Sequence, residues 1–515
     1  MAEARFEIPA YDFGAARRLE RELGVSHTVA QVLARRGLAD PAAARAFLAA
    51  EVRHPLDAFG GLRAGAAAVL EHVAAGSRIT VHGDYDVDGV ASTAILVRVL
   101  RTLGARVDWF LPSRTEDGYG LAASTVRRLA ARGTQLLLTA DCAITAVDEV
   151  AAARAAGMDV VVTDHHAPRA DGRLPDAPIV HPRLGANPCP DLCAAGVAHK
   201  LAGALLEGAG HDPALADEDL DLVALATIAD VVPLHDENRA LVRAGLKALA
   251  ATRKPGLRAL MAVARVDPSA VDARAVGFGL APRINAAGRI ARADAGLELL
   301  LTGDEERARA VAAELDGLTH DRREVETRIL FEAEAQLAAA SDAAAFVLAG
   351  EGWHPGVIGI VAARIAERRC RPTVLIAVDG EEGTGSGRSV PAFDLLGGLD
   401  AAARHLRRHG GHRAAAGLTI AREDVDAFRA AFQAHADEVL RPEDLVSVER
   451  LDAVVGGEAL GLGLAEELRS LEPFGAANPA FSLLLPAVTM TDPRPMGEGR
   501  HVAFSVHAGG ARSRA

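Results

Sequence analysis

Aromatic side chains make up only 4% of the 515 residues, with two tryptophans and three tyrosines. Together with alanine-rich helical stretches, this scarcity reflects coding bias as much as function, and it leaves few rings for stacking on a ligand. The four cysteines, Cys142, Cys189, Cys193 and Cys370, are too few for a disulfide framework. Cys189 and Cys193 lack a second pair at zinc-site spacing. No apolar run reaches the ~18 residues of a membrane span. No charged-then-apolar start with a cleavage site suggests a signal peptide. A cytoplasmic protein with no membrane contact is therefore expected. Also missing are a Gly-x-Gly-x-x-Gly after a strand, a Gly-x-Ser-x-Gly and a Walker-type Gly-Lys-Ser/Thr, so nothing suits hydride or acyl transfer.

What is present is a large apolar content, 50% of residues, which excludes global disorder. The length predicts several domains at the usual ~100–200 residues each. The formal net charge of −13 argues at face value against a nucleic-acid partner. Basic clusters nevertheless occur in the second half, at Arg364, Arg368, Arg369 and Arg371 and again at Arg404, Arg407, Arg408 and Arg413.

Residues 1–75 read as a helical extension. From 76 to 300 strands and helices alternate, with strands expected at 78–82, 106–111, 135–140, 159–163 and 179–181. Helices are expected near 89–103, 121–132, 146–156, 195–207 and 219–229. This order predicts an α/β domain on a parallel sheet. A charged helix within 301–340 reads as a connector, followed by a smaller α/β unit at 341–440. That unit is expected to have Gly-rich and basic loops up to about 420. Residues 445–515 read as β-rich and stop before a barrel could close.

The chemistry concentrates at Val81-His82-Gly83-Asp84-Tyr85-Asp86-Val87-Asp88-Gly89. In extended backbone His82, Asp84 and Asp86 point to one side. A solvated Asp/Gly turn would explain this stretch taken alone. Two further strands, however, end in Asp141 and in Asp164-His165-His166, and Asp230 stands unpaired inside the apolar run 226–232. In an open parallel sheet such strand ends meet in one cleft. Carboxylates mixed with imidazoles favour Mn²⁺ over Mg²⁺. Seven or so ligands suit two ions bridged by a carboxylate, a centre for phosphoester hydrolysis. Asp88 is read as the cap of the helix opening at Gly89.

These segments resemble the DHH phosphoesterase superfamily, and Gly385-Ser386-Gly387-Arg388-Ser389 with Gly410-Gly411-His412 resembles its associated DHHA1-type domain. The order of motifs, Pro282–Arg289 and Leu471–Pro479 are most similar to the RecJ family of single-strand-specific 5′→3′ DNA exonucleases. The resemblance implies His82, Asp84, Asp86, Asp141, His165 and Asp230 as ligands of two divalent ions, Mn²⁺ preferred and Mg²⁺ admitted, with Asp141 shared. Asp164 would orient a ligand and His166 would face the scissile phosphate. Arg114, Ser386 and Arg388 would hold a 5′-terminal phosphate, and Arg283 and His412 would contact phosphates near the metals. The last region would be an OB-like domain that helps to hold the single strand, though Phe474, Phe481 and Phe504 read as packing residues. Ala143 stands where the family usually has glycine.

A monomer is expected, degrading single-stranded DNA from a 5′-phosphate end to mononucleotides in repair and recombination. Single-strand-binding protein and a RecQ-type helicase are the implied partners. Two other readings compete: a DHH phosphodiesterase for short oligonucleotides or cyclic dinucleotides, and a non-catalytic scaffold of a replication complex. The long flanks weigh against the first and the full ligand set against the second.

Overall fold

The short apolar runs expected as strands between residues 78 and 180 form one sheet in the computed structural model, which describes residues 5–114, 117–338, 343–497 and 501–514. These are β1 (Arg78–His82), β2 (Arg106–Phe110), β3 (Leu136–Thr139), β4 (Asp159–Thr163) and β5 (Ile179–Val180). All pair in parallel, in the order β2-β1-β3-β4-β5. The crossovers are α1 (Val87–Thr102), α2 (Ala123–Ala131) and α3 (Val147–Ala155). Since β1, β3 and β4 are neighbours, the residues that follow them share one edge of the sheet, where α/β proteins place their sites. α1 is buried on nearly every face, packed against α4 (Ala194–Gly208) and α5 (Leu220–Ala229). An all-round apolar helix of this kind belongs in the middle of a large protein. Further along come α6 (Ala281–Ile290) and the 33-residue α7 (Glu305–Leu337).

The chain divides into two compact units, with the boundary inside α7: Ile8–Asp316 with the segment from Leu451, and Gly317–Arg450 with the strand Arg5–Glu7. The first unit corrects the expected separation of residues 1–75 from 445–515. Leu19, Val29 and Leu33 of the N-terminal helices share one core with Ala453, Val455, Leu468 and Leu471. Phe474 and Phe481 pack ring against ring, 5.8 Å apart, at its border. The unit ends in an antiparallel meander at 489–496, 501–508 and 511–514. The expected boundary at 340/341 lies outside the described residues. Among the described residues no helix is long and apolar enough to cross a membrane.

The second unit contains β6 (Phe346–Glu351), α8 (Pro355–Arg369), β7 (Thr373–Asp379), β8 (Glu382–Arg388), β9 (Arg408–Gly411), β10 (Ala415–Ala421) and α9 (Val425–Val439). Its sheet runs β9-β10-β8-β7-β6, with only β6 and β7 parallel. The Gly-rich stretch expected to be a flexible loop is β8, the middle strand. Gly383, Gly385 and Gly387 alternate onto the buried face, where a Cβ on Gly385 would lie 2.6 Å from the Leu418 side chain. The core supplies the bulk there, and Thr384, Ser386 and Arg388 fall on the other face. The first basic cluster also proves structural. Arg364 and Arg369 pair with Glu326 and Glu334, at 2.9 Å each, and Arg371 donates to the Leu445 carbonyl at 2.7 Å.

Candidate metal centre

The turn after β1 is tight because the helix that follows starts against it. A Cβ on Gly89 would lie 2.6 Å from the Asp84 amide nitrogen, so only glycine lets α1 begin here. Asp86 caps α1, accepting from the amides of Asp88 at 3.0 Å and Gly89 at 3.1 Å. This corrects the expectation that Asp88 is that cap. Asp88 instead accepts from the amides of Ala194 at 2.7 Å and Ala195 at 2.8 Å, so it caps α4. Its carboxylate also lies 3.7 Å from His165 Nε2.

Three sets of side chains could each hold a cation, their candidate ligand atoms lying within 4.8 Å of one another: Asp84, Asp86 and Asp141; Asp88, His165 and Asp230; and Asp141, His165 and His166. Five of the six expected ligands are thus brought together, and Asp88 joins them. His82, at the end of β1, belongs to none of these sets, but it is wholly buried and its Nε2 has no hydrogen-bond partner. Asp84 Oδ1, Asp141 Oδ1 and His165 Nε2 are buried without one too. All four atoms offer lone pairs, and leaving each unpaired costs about 1–3 kcal/mol. Asp84, Asp141 and His165 carry such orphaned atoms and belong to the three sets, and oxygen and imidazole donors of this kind fit a divalent cation.

The electrostatics agree. Burial, together with the neighbouring carboxylates, pushes Asp84 and Asp141 well above the ordinary carboxylate range. The same causes, with Asp88 and Asp86 as the neighbours, push Asp230 up to about 8. Burial drives His82 down to about 4 and His165 to about 3, so both imidazoles are neutral. A bound cation would favour the charged carboxylates and the neutral rings.

Asp164 differs from its neighbours because its oxygens are engaged. It accepts from the amides of Ile144, His165 and His166 and from His166 Nδ1 at 2.8 Å. Burial alone would raise its pKa, but the His166 contact and these bonds bring it below the usual carboxylate value. For His166 burial works downward, and the Asp164 hydrogen bond outweighs it, to about 9. Tyr119, which the sequence had not singled out, adds its hydroxyl 3.1 Å from the same Nδ1. Its only sequence signal is its place in Asp117-Gly118-Tyr119-Gly120, beside Arg114.

Arg114 stacks over the Tyr85 ring, 4.1 Å from its centre, and donates to the Gly288 carbonyl at 3.3 Å. It therefore stands at the turn that carries Asp84 and Asp86. The motif on α6 supports that turn: Asn285 Oδ1 accepts from the Val87 amide at 3.1 Å. Arg283 does not meet the expectation of a phosphate contact. It is buried, its Nε and Nη2 bind Asp316 at 2.9 and 2.8 Å, Nη2 also donates to the Val263 carbonyl, and Nη1 donates to the Gly279 carbonyl. Residues 471–479 are likewise structural. The buried Arg239 donates to the carbonyls of Leu471, Glu472 and Pro473, and the Ala476 carbonyl accepts from the Leu234 amide, four residues after Asp230. In the second unit Ser386 and Arg388 lie together, Arg388 donating to Ser386 Oγ at 3.2 Å, and His412 is exposed.

Two residues of the β3 turn have left-handed backbone, Asp141 at φ 68° and Ala143 at φ 84°. Aspartate tolerates this region; alanine is strained there by about 1–2 kcal/mol. Ala143→Gly should relieve that strain. After the extra freedom it gives the unfolded chain, a net gain of about 0.5–1 kcal/mol is expected, read as a higher urea midpoint.

Residues 78–227 match the DHH family N-terminal domain, 342–438 the DHHA1 domain and 451–515 the RecJ OB domain. The single-stranded-DNA-specific exonuclease RecJ of Bacillus subtilis (strain 168) is 37% identical over 514 residues, 98% of this chain and 64% of that protein. The chain thus spans less than two thirds of that relative's length. The RecJ of Dickeya dadantii (strain 3937) is 40% identical over 445 residues, covering 82% of this chain and 77% of the relative. The crystal structure of Thermus thermophilus RecJ in complex with Mn²⁺ superposes with a TM-score of 0.86 at 35% identity, over 99% of this chain and 74% of that one.

Proposed function

The chain belongs to the RecJ family of DHH-domain proteins, and from that premise we propose that it is a metal-dependent exonuclease. It degrades single-stranded DNA from the 5′ end to mononucleotides, in DNA repair and recombination. The observation that carries this reading is that Asp84 Oδ1, Asp141 Oδ1 and His165 Nε2 are buried without partners in residues that form cation-sized sets, with His82 Nε2 likewise unpartnered at the end of β1. With Asp86, Asp230 and Asp88 they make more ligands than one ion needs, so two ions are proposed, Mn²⁺ preferred over Mg²⁺ because two ligands are imidazoles. Divalent ions bound there supply a hydroxide nucleophile near neutral pH and offset charge on the phosphate.

The chain's own groups do the rest. Asp141, common to two of the three ligand sets, is the shared ligand. Asp164 fixes the His166 ring through Nδ1, which leaves Nε2–H for the scissile phosphate. The Asp164 hydrogen bond raises the His166 pKa against the effect of burial, which suits the ring to steady the phosphate and to protonate the departing 3′-oxygen. Arg114, Ser386 and Arg388 are assigned to the 5′-terminal phosphate by family membership. Ser386 Oγ and the Arg388 fork offer hydrogen bonds suited to phosphate oxygens. His412 is proposed, by family membership, to contact a phosphate near the metals. Arg283 is dropped from this group.

Family membership alone carries the remaining parts: a monomer, with single-strand-binding protein and a RecQ-type helicase as partners. The four cysteines are free, as in a reducing compartment, and the cytoplasm is proposed.

A long 5′-phosphorylated single strand incubated with Mn²⁺ should release mononucleotides, while the same sequence as duplex resists. Cleavage confined to di- and trinucleotides would replace this reading with that of a short-oligonucleotide phosphodiesterase. Arg388→Ala should cut the preference for 5′-phosphate over 5′-hydroxyl strands about tenfold, the worth of one hydrogen bond to a charged group. Competition between the two strands in one reaction measures it.

A further inference from the structure

The two nitrogens of His82 have contrasting surroundings. Nε2 is buried without a partner, whereas Nδ1 lies 3.5 Å from Cys142 Sγ. The same sulfur lies 3.7 Å from the main-chain oxygen of His82. That oxygen already accepts from the Ala140 amide at 2.8 Å, and a carbonyl has a second lone pair to offer. Cys142 is itself fully buried, and its carbonyl accepts from Thr139 Oγ1 at 3.0 Å, which anchors the turn.

A neutral imidazole has one proton to place, and a thiol has one hydrogen. If the thiol donates to Nδ1, the ring proton must sit on Nε2, leaving a buried N–H with no acceptor. If the thiol donates to the His82 carbonyl, Nδ1–H can donate to sulfur. Two bonds form and no donor is stranded. Only the second arrangement leaves Nε2 with a free lone pair. We infer that Cys142 is a positioning residue that holds His82 in the Nδ1–H tautomer, so that Nε2 is ready to bind a cation.

This inference rests on the metal reading of the centre and adds a supporting shell to it, as ligating histidines usually have on their other nitrogen. It also ties two ligands together. Cys142 directly follows Asp141, so one turn sets a carboxylate and the tautomer of a ring on the adjacent strand.

Two measurements test it. In the metal-free protein labelled with ¹⁵N-histidine, the His82 signals, assigned by their loss in His82→Gln, should report a proton on Nδ1. In titrations with Mn²⁺ alone, Cys142→Ala should bind about 10–100-fold more weakly than wild type, and Cys142→Ser should recover part of the loss. A proton found on Nε2, or a Cys142→Ala protein that binds Mn²⁺ as tightly as wild type, overturns the inference. If wild type binds no Mn²⁺ at all, the metal reading falls instead. Should Cys142→Ala not fold, the tautomer in the wild-type protein decides alone.

Discussion

Asp141→Ala should lower exonuclease activity by at least three decades while leaving the metal-free protein folded. The activity arm follows from position. Asp141 is buried at the end of β3, its Oδ1 lacks a partner, and that atom lies 3.2 Å from His165 Nε2. It belongs both to the set with Asp84 and Asp86 and to the set with His165 and His166. Losing it would therefore disturb both halves of the proposed two-ion centre, and metal centres of this kind supply most of the rate. The stability arm follows from charge. Burial, and the nearness of Asp88, Asp86 and Asp84, push the Asp141 pKa well up. Without a cation this carboxyl destabilises its surroundings, and removing it lifts that repulsion. Alanine at φ 68° takes back about 1 kcal/mol. The metal-free melting temperature should thus move little. Mn²⁺ should separate the two proteins: wild type gains about 2.7 kcal/mol at a hundredfold excess over Kd, and the variant far less. Activity equal to wild type would end the metal assignment.

Local signals were readable in the sequence and distant partners were not. Strands 78–82 and 159–163 emerge as expected, because short apolar runs bounded by polar residues are their own evidence. Strand 382–388 was hidden, since alternate glycines carry no hydrophobic signature and the bulk comes from Leu418 and Leu395 on other elements. Arg283 looked like a phosphate ligand because its motif is a family mark. Only the fold reveals Asp316, 33 residues away, as its partner. The joint core of residues 16–33 with 453–471 spans almost the whole chain and has no local trace. His82, Asp141 and His165 stood out as candidate ligands because each lies at or just after the end of an apolar strand run, and Asp230 because it interrupts one. Asp88 was misread for the converse reason: the amides it caps are 106 and 107 positions downstream.

That misreading yields the sharpest remaining test. Asp88→Asn should cost at least two decades of activity and one bound Mn²⁺ per chain, together with about 1 kcal/mol of stability. A carboxylate has some four lone-pair positions. The amides of Ala194 and Ala195 occupy two, one on each oxygen, the Cys193 side chain engages the carboxylate as well, and Oδ2 lies 3.7 Å from His165 Nε2. Asparagine keeps one oxygen and turns an NH₂ toward whichever group lost its acceptor. With its oxygen in the Oδ2 place it caps Ala194 and opposes the Ala195 amide donor to donor. With its oxygen in the Oδ1 place it caps Ala195 and opposes the Ala194 amide instead. The charge that suits both the helix N-terminus and a cation is gone in either pose. A residue that served only as a cap would behave differently, lowering the urea midpoint by the worth of a cap while Mn²⁺ stoichiometry and rate stayed at wild-type values. Metal analysis and urea melts on the same preparation distinguish the two roles. Because Asp88 joins α4 to the ligand set, Mn²⁺ should also slow amide exchange at Ala194 and Ala195 in wild type and not in the variant.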